Sequence, residues 1–384
     1  MKKYIGKIHL ILGLASGLVV FIVAITGCCW VFKEEIKALT QEEIIIEKKG
    51  NEFLTITEAE KIAHEVYPNK LIHGILYDDT SKPVEVIFYQ PEPLFYSSVF
   101  LHPTQGDILK TENHLTGFFA FVLDGHIHLW LPEAIGTQIV KWSTVLFFVL
   151  VLSGIYLWWP RNKKNRKQRF KFDWKSTTKW KRKNFDLHSI IGFYSCLFAL
   201  LFIITGLIMA FPLVNEGVYK AMGGDKKATF LIPDGSTLKK DNDNKPIDLL
   251  LSKLEKEYPS ARDFEIHLPY TDSASIYVEI SNQDGVFYNS DFVFYDQNTL
   301  EEIPTPTYYG KYDIASLPDK IIRMNYDTHI GAIAGLPGKI LAFLASLTVA
   351  SLPVTGFLLW FGRKFKKKRN KAKTKDIRSL ASVS

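Results

Sequence analysis

A membrane protein built as a pseudo-symmetric four-transmembrane-helix bundle, carrying two small α+β extracytoplasmic lobes, is the architecture this sequence predicts. Three observations predict it: four long apolar stretches, clusters of basic residues beside them, and one plan of helix, polar excursion and helix that is written twice. A helix of about 20 apolar residues crosses a bilayer, and the stretches near 5–32, 135–159, 187–213 and 338–361 each reach that length. Lysine and arginine crowd residues 161–183, the tail 363–378, and Lys2, Lys3 and Lys7. By the positive-inside rule both termini and the middle loop are cytoplasmic, and both excursions lie outside. The net charge of +7 is then a topological signature, so the partner expected is a lipid bilayer and not a nucleic acid.

Residues 1–32 form the first span. Its apolar run is too long for a signal peptide, and no small-x-small cleavage site follows Trp30, so it reads as a retained anchor. Residues 33–122 form the first lobe. There Thr57 as N-cap and Glu60 three residues on open a helix that ends near Tyr67-Pro68, and strands at 72–77 and 84–89 follow. Residues 123–160 hold His126, His128 and the second span. That span is entered through Leu131-Pro132, a proline in the first turn being tolerated because its missing N–H would be unpaired there.

The basic loop 161–185 leads to the third span, 186–213. The second lobe, 214–322, repeats the first with a helix at 247–258, strands at 264–268, 275–280 and 292–295, and a turn at Asp284-Gly285. Residues 323–362 carry His329 and the fourth span, and 363–384 form a basic tail. Trp130, Trp142, Trp158, Trp159 and Trp360 fall near the expected interfaces, as an aromatic belt would. Cys28, Cys29 and Cys196 all lie within helices and make no disulfide framework, and no Cys-x-x-Cys-His is present for covalent haem.

The repeat extends to chemistry-bearing residues. His9-x-x-x-Gly13 is followed by Thr26-Gly27, and His188-x-x-x-Gly192 by Thr205-Gly206, with the threonine seventeen positions after the histidine each time. Spans two and four end alike, on Ser153-Gly154 before Trp158 and Thr355-Gly356 before Trp360. Imidazoles are costly near a bilayer core, so a matched pair points to a shared ligand. Opposed imidazoles suit low-spin haem iron. His9 with His188 is expected to hold one haem and His329 with His126 another, with His128 the alternative to His126 that the residues alone leave open. The glycines beside the histidines would admit a flat macrocycle, although small residues in membrane helices also serve helix packing.

His64, His73, His102, His114 and His267 fall in the lobes and read as surface or structural residues. Arg323 or Lys339 outside, and Lys7 or Arg182 inside, are candidates for the haem propionates. Asp124, Asp186 and Asp327 each stand two residues before a candidate ligand. They read as solvated carboxylates, with an imidazole-orienting role as the sharper alternative. No phosphate loop, nucleophile elbow, zinc-protease helix, or flavin or nicotinamide fingerprint appears.

The combination of His9…Thr26-Gly27, His126-x-x-Leu129-x-Leu131-Pro132, Ser153-Gly154…Trp158-Trp159-Pro160 and His329…Gly335-Leu336-Pro337-Gly338-Lys339 resembles the PepSY-associated transmembrane helix family. The resemblance covers nearly the whole chain. It implies PepSY-like lobes and favours His126 over His128. Because some members are di-haem reductases of ferric siderophores, it also implies two non-covalent haem b groups in the cytoplasmic (inner) membrane. The expected activity is reduction of a ferric siderophore or other ferric chelate, with electrons from a quinol or a cytoplasmic flavoprotein. Two rivals stand beside it: a non-redox PepSY binding or regulatory protein, and a transporter of iron or its chelate.

Overall fold

The computed structural model describes residues 1–40, 44, 46, 53–160, 167–237 and 246–380. Residues 161–166 of the expected basic loop and 381–384 of the tail lie outside the described residues. The chain runs from α1 (Lys2–Val31) through α2 (Ile56–Val66) and strands β1 (Ile72–Tyr77), β2 (Val84–Gln90), β3 (Phe95–Leu101) and β4 (Ile108–Asn113). Helices α3 (Phe118–Ile127) and α4 (Glu133–Trp158) follow. A second round holds α5 (Gly192–Ala210), α6 (Leu250–Glu257), β5 (Asp263–His267), β6 (Ile276–Ser281), β7 (Asp291–Tyr295) and β8 (Glu302–Ile303), and then α7 (Asn325–Ile330) and α8 (Gly335–Leu380). Shorter helices lie at Lys33–Thr40, Trp180–Asp186, Pro212–Ala221 and Leu317–Arg323, among others.

Two compact units result. The first comprises Met1–Phe32, Val122–Ala210 and His329–Ser384. Within it Lys2–Val31, Glu133–Trp158, Trp180–Ala210 and Ala332–Lys364 are each long and apolar enough to cross a membrane. Helices α1 and α5 both pack against α4 and α8, so α1 stands diagonally across from α5, and α4 from α8. Small residues make the close approach possible: Ala24, Ala199 and Ala350 are buried with Val20 and Val349 at the centre. The third span is not one regular helix. A wide π turn, Leu187–Ile191, joins Trp180–Asp186 to α5. Trp130, Trp142 and Trp159 are exposed as a belt requires, but Trp158 is buried, stacked on Phe193 with ring centres 3.6 Å apart.

The entry to α4 and to α8 is tighter than a proline signal suggests. Leu129 and Trp130 take left-handed φ values of 58° and 57° between α3 and α4. A Cβ on Gly136 would lie 1.9 Å from the carbonyl oxygen of His128. The second half repeats the close approach, with a Cβ on Gly338 falling 2.2 Å from the carbonyl oxygen of Gly331.

The second unit comprises Lys33–Phe121 and Phe211–Thr328. Two lobes are expected from the sequence, but their strands join in a single eight-stranded antiparallel sheet of order β4-β3-β2-β1-β5-β6-β7-β8. The seam is β1 on β5, with Ile75 opposite Ile266 and Leu76 opposite Glu265. Helices α2 and α6 cover one face, where Ile56, Ala59, Ala63, Leu250 and Leu254 pack on Ile75, Tyr77, Val86, Ile266 and Val278. The start of α2 corrects the expected cap. Thr55, not Thr57, accepts the N–H of Glu58, and Glu58 returns the bond to complete the capping box. β3 and β4 are absent from the expectation. In β3 the buried Ser97 and Ser98 interrupt its apolar alternation.

Because backbone, not a movable side chain, stands where the new methyl would go, Gly136→Ala and Gly338→Ala should each destabilise the protein by roughly 3–5 kcal/mol. Thermal unfolding in detergent would check this, with Gly217→Ala, which meets nothing within 4 Å, as the unaffected control.

Candidate functional site

Four of the histidines singled out in the sequence meet as two pairs, one toward each end of the bundle. His9 and His188 have ring centroids 6.4 Å apart with planes at 76°. His126 and His329 have centroids 6.3 Å apart with planes at 78°. The first pair spans the α1–α5 diagonal. The second comes from α3 and α7, the short helices that precede α4 and α8. His9 and Thr26 sit seventeen residues apart on α1, which at 1.5 Å per residue separates the two levels by about 25 Å.

The rings are held alike. His9 donates its Nδ1 proton to Ser153 Oγ at 2.8 Å, and His188 to Thr355 Oγ1 at 3.0 Å. His126 donates to Thr26 Oγ1 at 3.2 Å and His329 to Thr205 Oγ1 at 2.7 Å. The direction follows from counting protons. Each hydroxyl has one, and each gives it to a carbonyl of its own helix: Ser153 to Leu150, Thr355 to Ser351, Thr26 to Ile22 and Thr205 to Leu201. The hydroxyls therefore accept from the imidazoles, all four rings carry the proton on Nδ1, and all four Nε2 lone pairs are free for a ligand.

The residue after each hydroxyl is glycine, and it is the ring that needs the space. A Cβ on Gly154 would lie 3.4 Å from His9 Cε1, on Gly356 3.2 Å from His188 Cε1, on Gly27 3.2 Å from His126 Cε1, and on Gly206 3.7 Å from His329 Cε1. Each Ser/Thr-Gly pair thus cradles an imidazole from another helix. Gly13 and Gly192, four residues after His9 and His188, and Gly17 a turn further on, face neighbouring helices instead. A Cβ on these would touch Leu150, Leu352 and Pro353, so they serve helix packing.

Of His126 and His128, it is His126 whose ring faces His329. His128 lies off the pair, its Nδ1 3.0 Å from the Asp124 carboxylate. Asp186 and Asp327 are buried and are not solvated carboxylates. Buried Asp186 accepts from Trp174 Nε1 and Arg182 Nε, and buried Asp327 from the backbone N–H of Phe287 and Tyr288. Among the propionate candidates, Arg323 is committed to the carbonyls of Gly310 and Ser290 and lies over the rings of Phe292 and Tyr312. Arg182 is paired with Asp186. Lys7 is exposed and Lys339 partly so. His64 and His114 are local structural residues: His64 edges onto Phe88, and His114 meets Ser98. His102 Nδ1 accepts from the backbone of Thr104 and Gln105. His73 and His267 are different and come together on the sheet, with ring centroids 4.7 Å apart. No sequence spacing links them, because the β1–β5 seam brings them together across almost two hundred residues.

The profile of the PepSY-associated TM region matches residues 7–363. A search of the curated proteins found no match. The chain belongs to the PepSY-associated transmembrane family and is a membrane protein.

Thr355→Val leaves the Nδ1–H of His188 buried without its acceptor, and should lower stability by about 1–3 kcal/mol. His128→Ala, which touches neither pair, should cost less. Unfolding midpoints of the two variants in the same detergent would separate these effects.

Proposed function

We propose that this protein is a b-type di-haem oxidoreductase that carries electrons across the cytoplasmic membrane to a ferric siderophore or related ferric chelate. The observation that carries the reading is the pair of near-identical imidazole separations. A metal–imidazole bond is about 2.0 Å and each ring nitrogen lies about 1.1 Å from its ring centre, so two imidazoles that held one ion between them would have centroids about 6.2 Å apart. The separations of 6.4 and 6.3 Å lie close to that value. The donor set favours haem over a bare ion. Among the described residues no carboxylate or thiol joins either pair into a group of three metal-ligating side chains. Zinc ordinarily takes four ligands. A haem needs few protein ligands, and His9 with His188, and His126 with His329, would hold one each.

When bound, haem supplies one-electron chemistry at iron. The chain's share is to present neutral Nε2, to fix ring orientation through the Ser and Thr hydroxyls, and to keep water from both levels. An Nδ1 hydrogen bond makes an imidazole a stronger donor to metal, so the four hydroxyls would also tune affinity and potential. The positive-inside rule supports the orientation. Basic residues cluster at the chain start, at the 161–183 loop and at the tail, and by that rule His9 and His188 would lie toward the cytoplasm and His126 and His329 toward the outside. A quinol or a cytoplasmic flavoprotein would be the donor. A quinol gives two electrons and two protons and so reduces two ferric ions. The acceptor class rests on the resemblance to ferric-siderophore reductases in the family.

Protein purified from haem-sufficient cells should be red and contain two haem b per chain by pyridine haemochrome. His188→Ala should retain about one, and a colourless wild-type preparation, or both haems kept by His188→Ala, would end the reading. Mixing dithionite-reduced protein with a ferric siderophore should reoxidise it, one ferric ion per haem. No reoxidation would remove the acceptor while leaving the cytochrome. Thr205→Val should keep both haems, weaken one by about 10–100-fold, and shift the potential of that one alone in a redox titration.

A further inference from the structure

We propose that His73, Glu265 and His267 form a binding site for a divalent first-row transition-metal ion, such as Zn²⁺ or Fe²⁺, on the sheet face opposite α2 and α6. Their ligand atoms lie within 4.8 Å of one another, and this is the one such group among the described residues. His267 Nε2 stands 3.3 Å from Glu265 Oε1, inside the about 3.0–4.2 Å that separates two donors on one ion with bonds near 2.1 Å. Two imidazoles and one carboxylate, with further positions left to solvent or an incoming ligand, make a donor set that zinc and ferrous iron both use.

The backbone is shaped for the group. β1 slips register against β2 between Ile72 and Gly74, so His73 is the extra residue of a bulge. Bulges re-aim side chains, and this one turns His73 to the face that carries Glu265 and His267. The next residue is glycine, and its lack of a side chain leaves the group room. A Cβ on Gly74 would lie 3.0 Å from Glu265 Oε1 and 3.2 Å from His267 Nδ1. The tautomer is set as in a metal-bound histidine: His267 donates Nδ1–H to the carbonyl of His73 at 2.9 Å, which leaves Nε2 as the lone pair facing Glu265. The ring is also stacked on Tyr277, 4.4 Å away.

Two acceptors therefore face each other at 3.3 Å, and something positive must lie between them, a proton or a metal ion. The charges around them raise the demand for a cation. Glu265 is paired across the seam with Leu76, and Leu76 with Glu85. On its other side Glu265 is paired with Glu279, so three carboxylates line one row of the sheet. Glu265 keeps 25% of its side-chain surface, a route by which an ion reaches it.

This site stands apart from the haem reading and is tested with zinc, to which haem iron contributes nothing. Full-length protein stripped with a chelator and dialysed against Zn²⁺ should take up one zinc per chain by atomic emission. His73→Ala, which keeps the backbone carbonyl that holds His267, and the isosteric Glu265→Gln should each bind more than about tenfold more weakly. His64→Ala should bind as wild type, and circular dichroism should show the sheet intact in all three. Anaerobic dialysis against Fe²⁺, with haem iron subtracted, should show the same order. Equal zinc uptake by wild type and His73→Ala, or none by wild type, overturns the proposal, whether or not the preparation is red.

Discussion

A serine or threonine hydroxyl owns a single proton, and in this bundle its own helix takes that proton first. Everything at the paired histidines follows from this. An oxygen already committed to the carbonyl three or four residues back accepts from an approaching imidazole, so the ring must offer Nδ1–H and keep Nε2 bare. In water such a bond is nearly neutral in free energy. Inside an apolar bundle a missing partner is costly, and orientation is correspondingly well defined. The glycine that follows each hydroxyl completes the arrangement, since a methyl group at that position would crowd the carbon between the two ring nitrogens.

The pattern of who holds whom divides the chain into halves. In the first, α1 offers His9 to Ser153 of α4, and the segment before α4 offers His126 to Thr26 of α1. In the second, His188 before α5 meets Thr355 of α8, and His329 before α8 meets Thr205 of α5. Each half is a pair of helices that clasp one another's histidines at both ends. Within a half the bonds orient; between halves the rings meet edge-on. The stacking of Trp158 on Phe193 and the bond from Asn184 to the carbonyl of Thr355 brace the His9–His188 end.

Much of this could be read from the residues. Span positions and the duplicated His…Thr-Gly and Ser/Thr-Gly motifs are local in sequence, the histidine pairing follows from the repeat that relates them, and a matched spacing repeated twice is hard to produce by chance. What the spacing concealed was direction. Thr26-Gly27 reads as space for a cofactor, yet it holds His126, a hundred residues away. The π turn at His188 left no trace either, since Leu187–Ile191 has ordinary helix formers. Asp186 and Asp327 read as surface acids because a carboxylate's burial depends on donors supplied from distant segments, here Arg182 with Trp174 and the Phe287–Tyr288 backbone. The merging of two lobes into one sheet was invisible for the same reason: edge pairing of β1 with β5 rests on backbone groups that every sequence possesses.

That seam explains why the sheet cluster escaped notice while the bundle pairs did not. A bundle pair takes its two histidines from equivalent positions of the repeat, and so betrays itself by periodicity. The sheet cluster takes His73 from a bulge in the first half and Glu265 and His267 from a regular strand in the second, and no repeat relates them. Yet the constructional rule is common to all three. No single half contains a complete donor set: each gives one imidazole to each bundle pair, and the sheet cluster needs both strands of the seam. In this chain all three clusters lie where its two halves meet. On the sheet the Glu265 carboxylate and the His267 lone pair face each other at 3.3 Å, and the proposed cation would satisfy both.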